Sequence, residues 1–318
     1  MSLISVSDLN YDDKLSIFDR ANWLMERYPK GGSHLLKDKI VSLLFLQPST
    51  RTRLGFASAV SRLGATTVDV ADINVTRSGD HTNETMEDFL SVAADYSDCI
   101  VIRHFNEISS LLRGLNIPVI SGGLASFEHP TQAISDLWTL LREGVVLSDI
   151  SFGLVGYAGT RVFRSLIKCL VEFGVTRFNF VSPKDLHFSD GQLIERVEQL
   201  PHDIGAFLNA NAIECGFFET SEHLVRNCDV VEVHPLQVPD LTTRLADLDK
   251  RNFKTPRHLV VTGRLVEQAN KRCFLLHPGP RGDELHVDTD SLENSLFFKQ
   301  VQNSLYIRQA VLLHEMPL

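Results

Sequence analysis

The sequence predicts an α/β fold of two doubly wound parallel-sheet domains joined by interdomain helices. Three observations carry this. The chain has 318 residues, more than one compact core of ordinary size, so two domains of roughly 150 residues are expected. Apolar, strand-like runs alternate with stretches of helical period, the βαβα rhythm of a parallel sheet covered by helices. The rhythm pauses at a helix and restarts near residue 140.

In the first half the runs are IVSLLFL, the helical RLGFASAVSRLG, TTVDVAD, the helical ETMEDFLSVAADY, CIVIRH and NIPVISGG. Glu128 to Arg142 reads as a helix. The second half offers SFGLVGY, a helix from Arg161, FNFVS, a helix through Gln192 to Gln199, and DVVEVH. The last stretch has helical period, with Leu296, Val301, Leu305, Ile307 and Val311 among its apolar positions. Residues 1–138 are expected to form one domain, with a helix over 292–318 packing back on it, and residues 139–291 the other.

Composition narrows the function. With 43% hydrophobic and 22% charged residues the chain is ordinary for a globular protein. A formal charge of −9 argues against a large nucleic-acid surface, because phosphate contacts dominate that affinity and need a basic patch. The first residues carry no basic segment followed by an apolar core, so no signal peptide is expected, and no run is long enough for a membrane span. Cys99, Cys169, Cys215, Cys228 and Cys273 form no CxxC pair. Reduced thiols in a cytoplasmic protein are expected, with no metal site and no cofactor.

The segment Gln47 to Arg53 ends a buried strand, turns at Pro48 and opens a helix with Ser49 or Thr50 at its cap. Unpaired N–H groups and the macrodipole make a helix amino terminus an anion site, and hydroxyls and a guanidinium there add donors. An ordinary capped helix with surface arginines would carry the same residues. Gly153, Gly156 and Gly159 follow a strand, but their spacing is not GxGxxG and no acidic ribose ligand accompanies them, which disfavours a dinucleotide site.

The run Ser49-Thr50-Arg51-Thr52 resembles the carbamoyl phosphate motif of the aspartate/ornithine carbamoyltransferase family. The resemblance continues through Arg103 and His104, through His129-Pro130-Thr131-Gln132, and through His277-Pro278-Gly279-Pro280-Arg281. It implies that residues 1–138 bind carbamoyl phosphate and the rest the amine. It further implies that Ser49, Thr50, Arg51, Thr52 and Arg103 hold phosphate, and that Thr52, Arg103 and His129 donate toward the carbonyl oxygen. Gln132 would bond the carbamoyl amino group, and main-chain carbonyls around Gly279 and Pro280 would accept from that group and from the incoming amine. A Gly-Pro pair suits a cis peptide. Arg161 matches the arginine that grips a substrate carboxylate. The family forms trimers with shared sites, and its mobile loop is matched by Ser78 to Thr85, where His81 is a candidate contact.

Two departures bear on the second substrate. Pro235 stands where the aspartate branch has an arginine, although Gln237 of that motif is kept, and Thr82 replaces the loop's lysine. Both the cysteine and the Ser-Met-Gly motif of the ornithine branch are missing. The expected acceptor is therefore an amino acid other than aspartate or ornithine, for example a diamino acid such as 2,3-diaminopropionate. The alternatives are a true aspartate carbamoyltransferase of pyrimidine synthesis and a non-catalytic homologue that binds carbamoyl phosphate.

Overall fold

The computed structural model describes residues 2–29, 32–71, 84–125, 127–184, 192–236, 254–269 and 272–317. The chain divides into two compact units, Met1–Trp138 with Val301–Leu318, and Thr139–Gln300. Both are parallel α/β sheets. No helix among the described residues is long and apolar enough to cross a membrane.

The first unit holds β1 (Ile40–Phe45), β2 (Thr66–Val70), β3 (Cys99–His104) and β4 (Val119–Leu124), in the spatial order β2-β1-β3-β4 with all pairs parallel. In β1 every residue after Ile40 is buried, as a central strand covered on both faces requires. That is why it reads as an unbroken apolar run. Its helices are α1 (Tyr11–Arg27), α2 (Thr50–Arg62), α3 (Met86–Asp95), α4 (Ser109–Arg113) and the first part of α5 (Pro130–Arg142). α1 starts at an Asn10–Asp13 capping box and buries Ile17, Phe18, Ala21 and Leu24. Phe56, Ala59 and Val60 form the buried stripe of α2, and burying side chains of the size of Phe56 and Val60 stabilises by roughly 1.5–3 kcal/mol each.

The second unit orders β5 (Ser151–Val155), β6 (Arg177–Val181), β7 (Glu214–Phe217), β8 (Val230–Val233) and β9 (Phe274–Leu276) as β7-β6-β5-β8-β9, again all parallel. Its helices are α6 (Arg161–Glu172), α7 (His202–Ala210), α8 (Ser221–Asn227) and α9 (Gly263–Glu267), with the start of α10 (Phe297–Glu315).

Three helix boundaries differ from the expectation. Gln192 to Gln199 is not an α-helix: Arg196 is extended and only a 3-10 turn, Val197–Gln199, follows it. The helix lies beyond Pro201, whose fixed φ of −48° and missing N–H suit the residue before the first turn of α7. α5 begins at Pro130 rather than Glu128, because proline is favoured at a first helical position, where no N–H is needed. The carboxy-terminal helix begins at Phe297 rather than at residue 292; before it, Val287–Ser291 is a 3-10 turn capped by His286.

Candidate functional site

Parallel sheets gather chemistry at the carboxyl ends of their strands. In the first unit Phe45 lies in register with Arg103, and the Leu46 N–H donates to the Arg103 carbonyl at 3.0 Å. The turn after β1 is thereby fixed against the end of β3. Ser49 occupies the cap position of α2 but makes no side-chain capping bond. No acidic residue stands in the first turn, which keeps the positive end of the helix dipole uncompensated from within. Thr52 is buried, and burial holds the Arg51 guanidinium below its usual value.

Arg53 of α2 and Arg103 of β3 have different surroundings. Arg53 is taken up by Asp69, with Nη2 2.6 Å from Oδ2, a bond that raises its pKa. Arg103 reaches across to β4, its Nη1 donating to the Gly122 carbonyl at 3.0 Å. His104 turns elsewhere: its Nδ1 accepts from the Asn106 N–H at 2.9 Å, which supports the chain leaving β3.

His129 comes to the same turn from the other direction. Its Nε2 lies 3.4 Å from Oγ1 of Thr52, in a buried contact. Its carbonyl accepts the first N–H bonds of α5, from Gln132 at 3.1 Å and Ala133 at 3.3 Å. The approach is secured by Glu128, whose Oε2 accepts from the Val6 N–H at 2.7 Å. Ala125, just before, has φ +41, a left-handed conformation that is uncommon for a residue with a side chain. On the next turn of α5, Gln132 Nε2 donates to Asp136 Oδ1 at 2.8 Å.

Beneath this turn lies a residue that the sequence reading missed. Arg308 of α10 is buried against α2, its guanidinium 5.5 Å from the Phe56 ring centroid. Its Nη1 donates to Ser304 Oγ at 2.5 Å. Burial pulls it down to about 10, with Asp136 opposing that shift and Arg51 adding to it. The available signal was an arginine among the apolar positions of the last helix. A Cβ at Gly55 would stand 2.5 Å from Nη1 of Arg308.

In the second unit, Arg161 opens α6, after the cap Thr160, whose Oγ1 accepts from the Phe163 N–H. A cation at the first helical position opposes the dipole, and the first turn of α6 holds no acidic residue. Arg161 is half-buried and desolvation brings it down to about 10. Arg164, one turn on, is held by Asp203 at 2.7 Å.

The His277 loop is tightly tied. Gly279 N–H donates to His277 Nδ1 at 2.8 Å, so the proton rests on Nε2, which meets Glu284 Oε1 at 2.9 Å. Gly279 has φ +67 and its bond to Pro280 is cis. Arg281 is bound by Asp290, Nη2 to Oδ2 at 2.9 Å. Gln237, His81 and Thr82, with the loop from Ser78 to Asn83, lie outside the described residues; Glu84 and Thr85 are described, and Thr85 caps α3 by accepting from the Asp88 N–H. Among the described residues no group of three or more His, Cys, Asp or Glu is placed to hold a metal ion.

Two parallel-sheet units, each with an arginine in the first turn of the helix that follows a central strand, are of the α/β class that can bind anions at helix amino termini. The family models are specific. Residues 1–142 match the aspartate/ornithine carbamoyltransferase carbamoyl-P binding domain and residues 148–314 its Asp/Orn binding domain. The chain belongs to the aspartate/ornithine carbamoyltransferase family and is a carbamoyltransferase.

Its relatives include the aspartate carbamoyltransferase catalytic subunit of Thermoplasma acidophilum, 33% identical over 315 residues, covering 98% of this chain and 96% of that one. The chloroplastic aspartate carbamoyltransferase of Arabidopsis thaliana is 34% identical, over 93% of this chain and 73% of its own length. Among solved structures, the catalytic subunit of M. jannaschii aspartate transcarbamoylase superposes with a TM-score of 0.80 at 30% identity, covering 98% of this chain and 96% of that one.

These relatives overturn the expectation of an acceptor other than aspartate. Relative to the aspartate branch, one side-chain cation is lost at Pro235 and one at Thr82. A carboxylate is also held by helix N–H groups and by whichever guanidinium remains, so losing a fork changes strength before it changes the kind of acceptor.

Proposed function

We propose that the chain transfers the carbamoyl group of carbamoyl phosphate to the amino group of L-aspartate, releasing phosphate, in the cytoplasm and in the service of pyrimidine synthesis. The observation that carries this is full-length similarity to aspartate carbamoyltransferases at 33% identity, joined to the Thr52–His129 contact beside Arg51 and Arg103.

The reaction needs a neutral amine, a polarised carbonyl and a leaving phosphate. Attack on the carbonyl carbon makes a tetrahedral oxyanion, and donors already in place at that oxygen lower the barrier. Arg51 and the N–H groups that open α2, with Ser49, Thr50 and Arg103, are assigned to the phosphate. Thr52, His129 and Arg103 are assigned to the carbonyl oxygen and Gln132 to the carbamoyl amino group. Gly279 contributes main-chain acceptors. Few side chains exchange protons: the amine loses one as the C–N bond forms, and the leaving phosphate takes one as the C–O bond breaks.

Arg161 is assigned to a carboxylate of aspartate. A guanidinium in the first turn of a helix can pair with a carboxylate through two parallel N–H bonds. Gln237, Pro280 and His81 complete the acceptor assignment, and a homotrimer in which the loop from Ser78 to Thr85 serves a neighbouring site accounts for His81. The test is formation of carbamoyl aspartate and release of phosphate from carbamoyl phosphate with aspartate and, in parallel, with ornithine. Turnover of ornithine without aspartate would overturn the reading.

A further inference from the structure

Glu232 and His234 stand two residues apart at the carboxyl end of β8, so both side chains leave the same face of the sheet. Glu232 lies between Leu154 of β5 and Leu276 of β9 in register and is 0% exposed. Among the described residues neither of its carboxyl oxygens has a hydrogen-bond partner. Its Oε1 sits 3.3 Å from Nε2 of His234, close but outside hydrogen-bond alignment.

The other ring nitrogen of His234 faces the acceptor helix. Nδ1 is 3.2 Å from Oγ1 of Thr160, the atom that caps α6 by accepting from the Phe163 N–H at 3.3 Å. The Phe163 ring lies 3.7 Å from the imidazole, centroid to centroid. Space for the imidazole is made by Gly156, at φ +128, where a Cβ would stand 2.7 Å from the Cβ of His234. Arg161 is the next residue after Thr160.

Packing does not explain this arrangement. A buried carboxyl without a partner costs free energy that an apolar side chain at the same place would not, and the neighbouring positions of β8 are valines. Desolvation raises Glu232 to about 8 and lowers His234 to about 3 against a smaller opposing effect of Glu284. Near pH 7 a carboxylic acid therefore faces an uncharged imidazole. His234 Nδ1 and Thr160 Oγ1 share one hydrogen bond at 3.2 Å, and the same Oγ1 accepts from the Phe163 N–H, so the imidazole and the first turn of α6 meet at one atom.

We propose that Glu232 and His234 are positioning residues for the second substrate: through Thr160 they fix the first turn of α6 and with it the setting of Arg161. This rests on the assignment of aspartate as the acceptor. Neither residue is expected to touch the substrate.

The test is steady-state kinetics of the full chain and four variants, with each substrate varied at saturating levels of the other. His234→Ala and Thr160→Val should each raise the aspartate KM about tenfold while the carbamoyl phosphate KM stays within about twofold. His234→Asn, which returns a polar group near the position of Nδ1, and Thr160→Ser should bring the aspartate KM back to within about threefold of the unaltered protein. Thr160→Val changes a hydroxyl for a methyl without opening a cavity, and it carries the test if His234→Ala does not fold. An aspartate KM indifferent to Thr160→Val, or two KM values that rise in parallel, would overturn the proposal. An unaltered protein unable to carbamoylate aspartate overturns the functional reading and this inference together; an active protein with indifferent variants overturns the inference alone.

Discussion

Replacing Glu232 by Gln should change how stability depends on pH, in a direction and window set by the structure. Burial raises Glu232 from 4.5 to about 8, so between those values the folded state holds a proton that the unfolded state has released. Stability linked to this group is full below 4.5 and declines as pH rises toward 8. His234 acts in the opposite sense: burial lowers it from 6.5 to about 3, so its contribution is full above 6.5 and declines as pH falls toward 3. The two slopes cancel between 4.5 and 6.5. Above 6.5 only Glu232 remains, and one proton over about 1.5 pH units is worth roughly 2 kcal/mol.

The wild-type second unit is therefore expected to lose about 2 kcal/mol between pH 6.5 and 8, and the Glu232→Gln variant is expected to keep it. In a unit of this size that corresponds to roughly 4–8 °C in its midpoint. Calorimetry at both pH values reads it, with the transition of the second unit assigned by its hydrogen exchange. Parallel pH dependence in the two proteins would refute the reasoning, because it would mean that Glu232 is ionised in the folded state or not buried.

The remaining expectations concern the turns. Arg51→Ala should weaken carbamoyl phosphate binding by about 10- to 1000-fold, on the order of 1.4–4 kcal/mol for lost charged hydrogen bonds, as measured by titration calorimetry. Arg53→Ala removes only an exposed pair with Asp69; it should cost less than about 1 kcal/mol in chemical denaturation and leave turnover unchanged. Gly156→Ala places a Cβ 2.7 Å from His234 Cβ at a φ of +128, and a loss of about 2–4 kcal/mol on unfolding is expected.

Much of the architecture was legible because central parallel strands must be apolar on both faces. β1, β3, β5 and β8 are runs of that kind, and their alternation with helical stretches gave the two sheets. β9, three residues long, has no room for a period. β7 is edge-placed and only partly covered, so it carried no apolar run. The misplaced helix at Gln192 to Gln199 came from reading polar period without giving weight to Pro201.

At the site, the turn from Ser49 to Thr52 and its neighbours Arg103 and His129 were legible because their chemistry is local in sequence or marked by motif. Arg308 was not: it meets Phe56 across 252 positions, and nothing near it in the chain shows that its guanidinium lies beneath the turn. The Glu232–His234–Thr160 chain was hidden for the same reason, since a strand-end carboxylate reads as surface until the strand is placed in the sheet. The acceptor was misread because replacing one arginine was treated as replacing the whole carboxylate site.

The most direct test is the specificity constant of the purified protein for aspartate and for ornithine at saturating carbamoyl phosphate, followed by phosphate release and by carbamoyl amino acid formation. Carbamoyl aspartate is the expected product, with kcat/KM for aspartate of about 10⁴ M⁻¹ s⁻¹ or more, in the range of working enzymes, and ornithine lower by about two orders of magnitude or more because its cationic side chain would meet Arg161. Phosphate release no faster with aspartate than without any amine, while ornithine or another amine is carbamoylated, would contradict it.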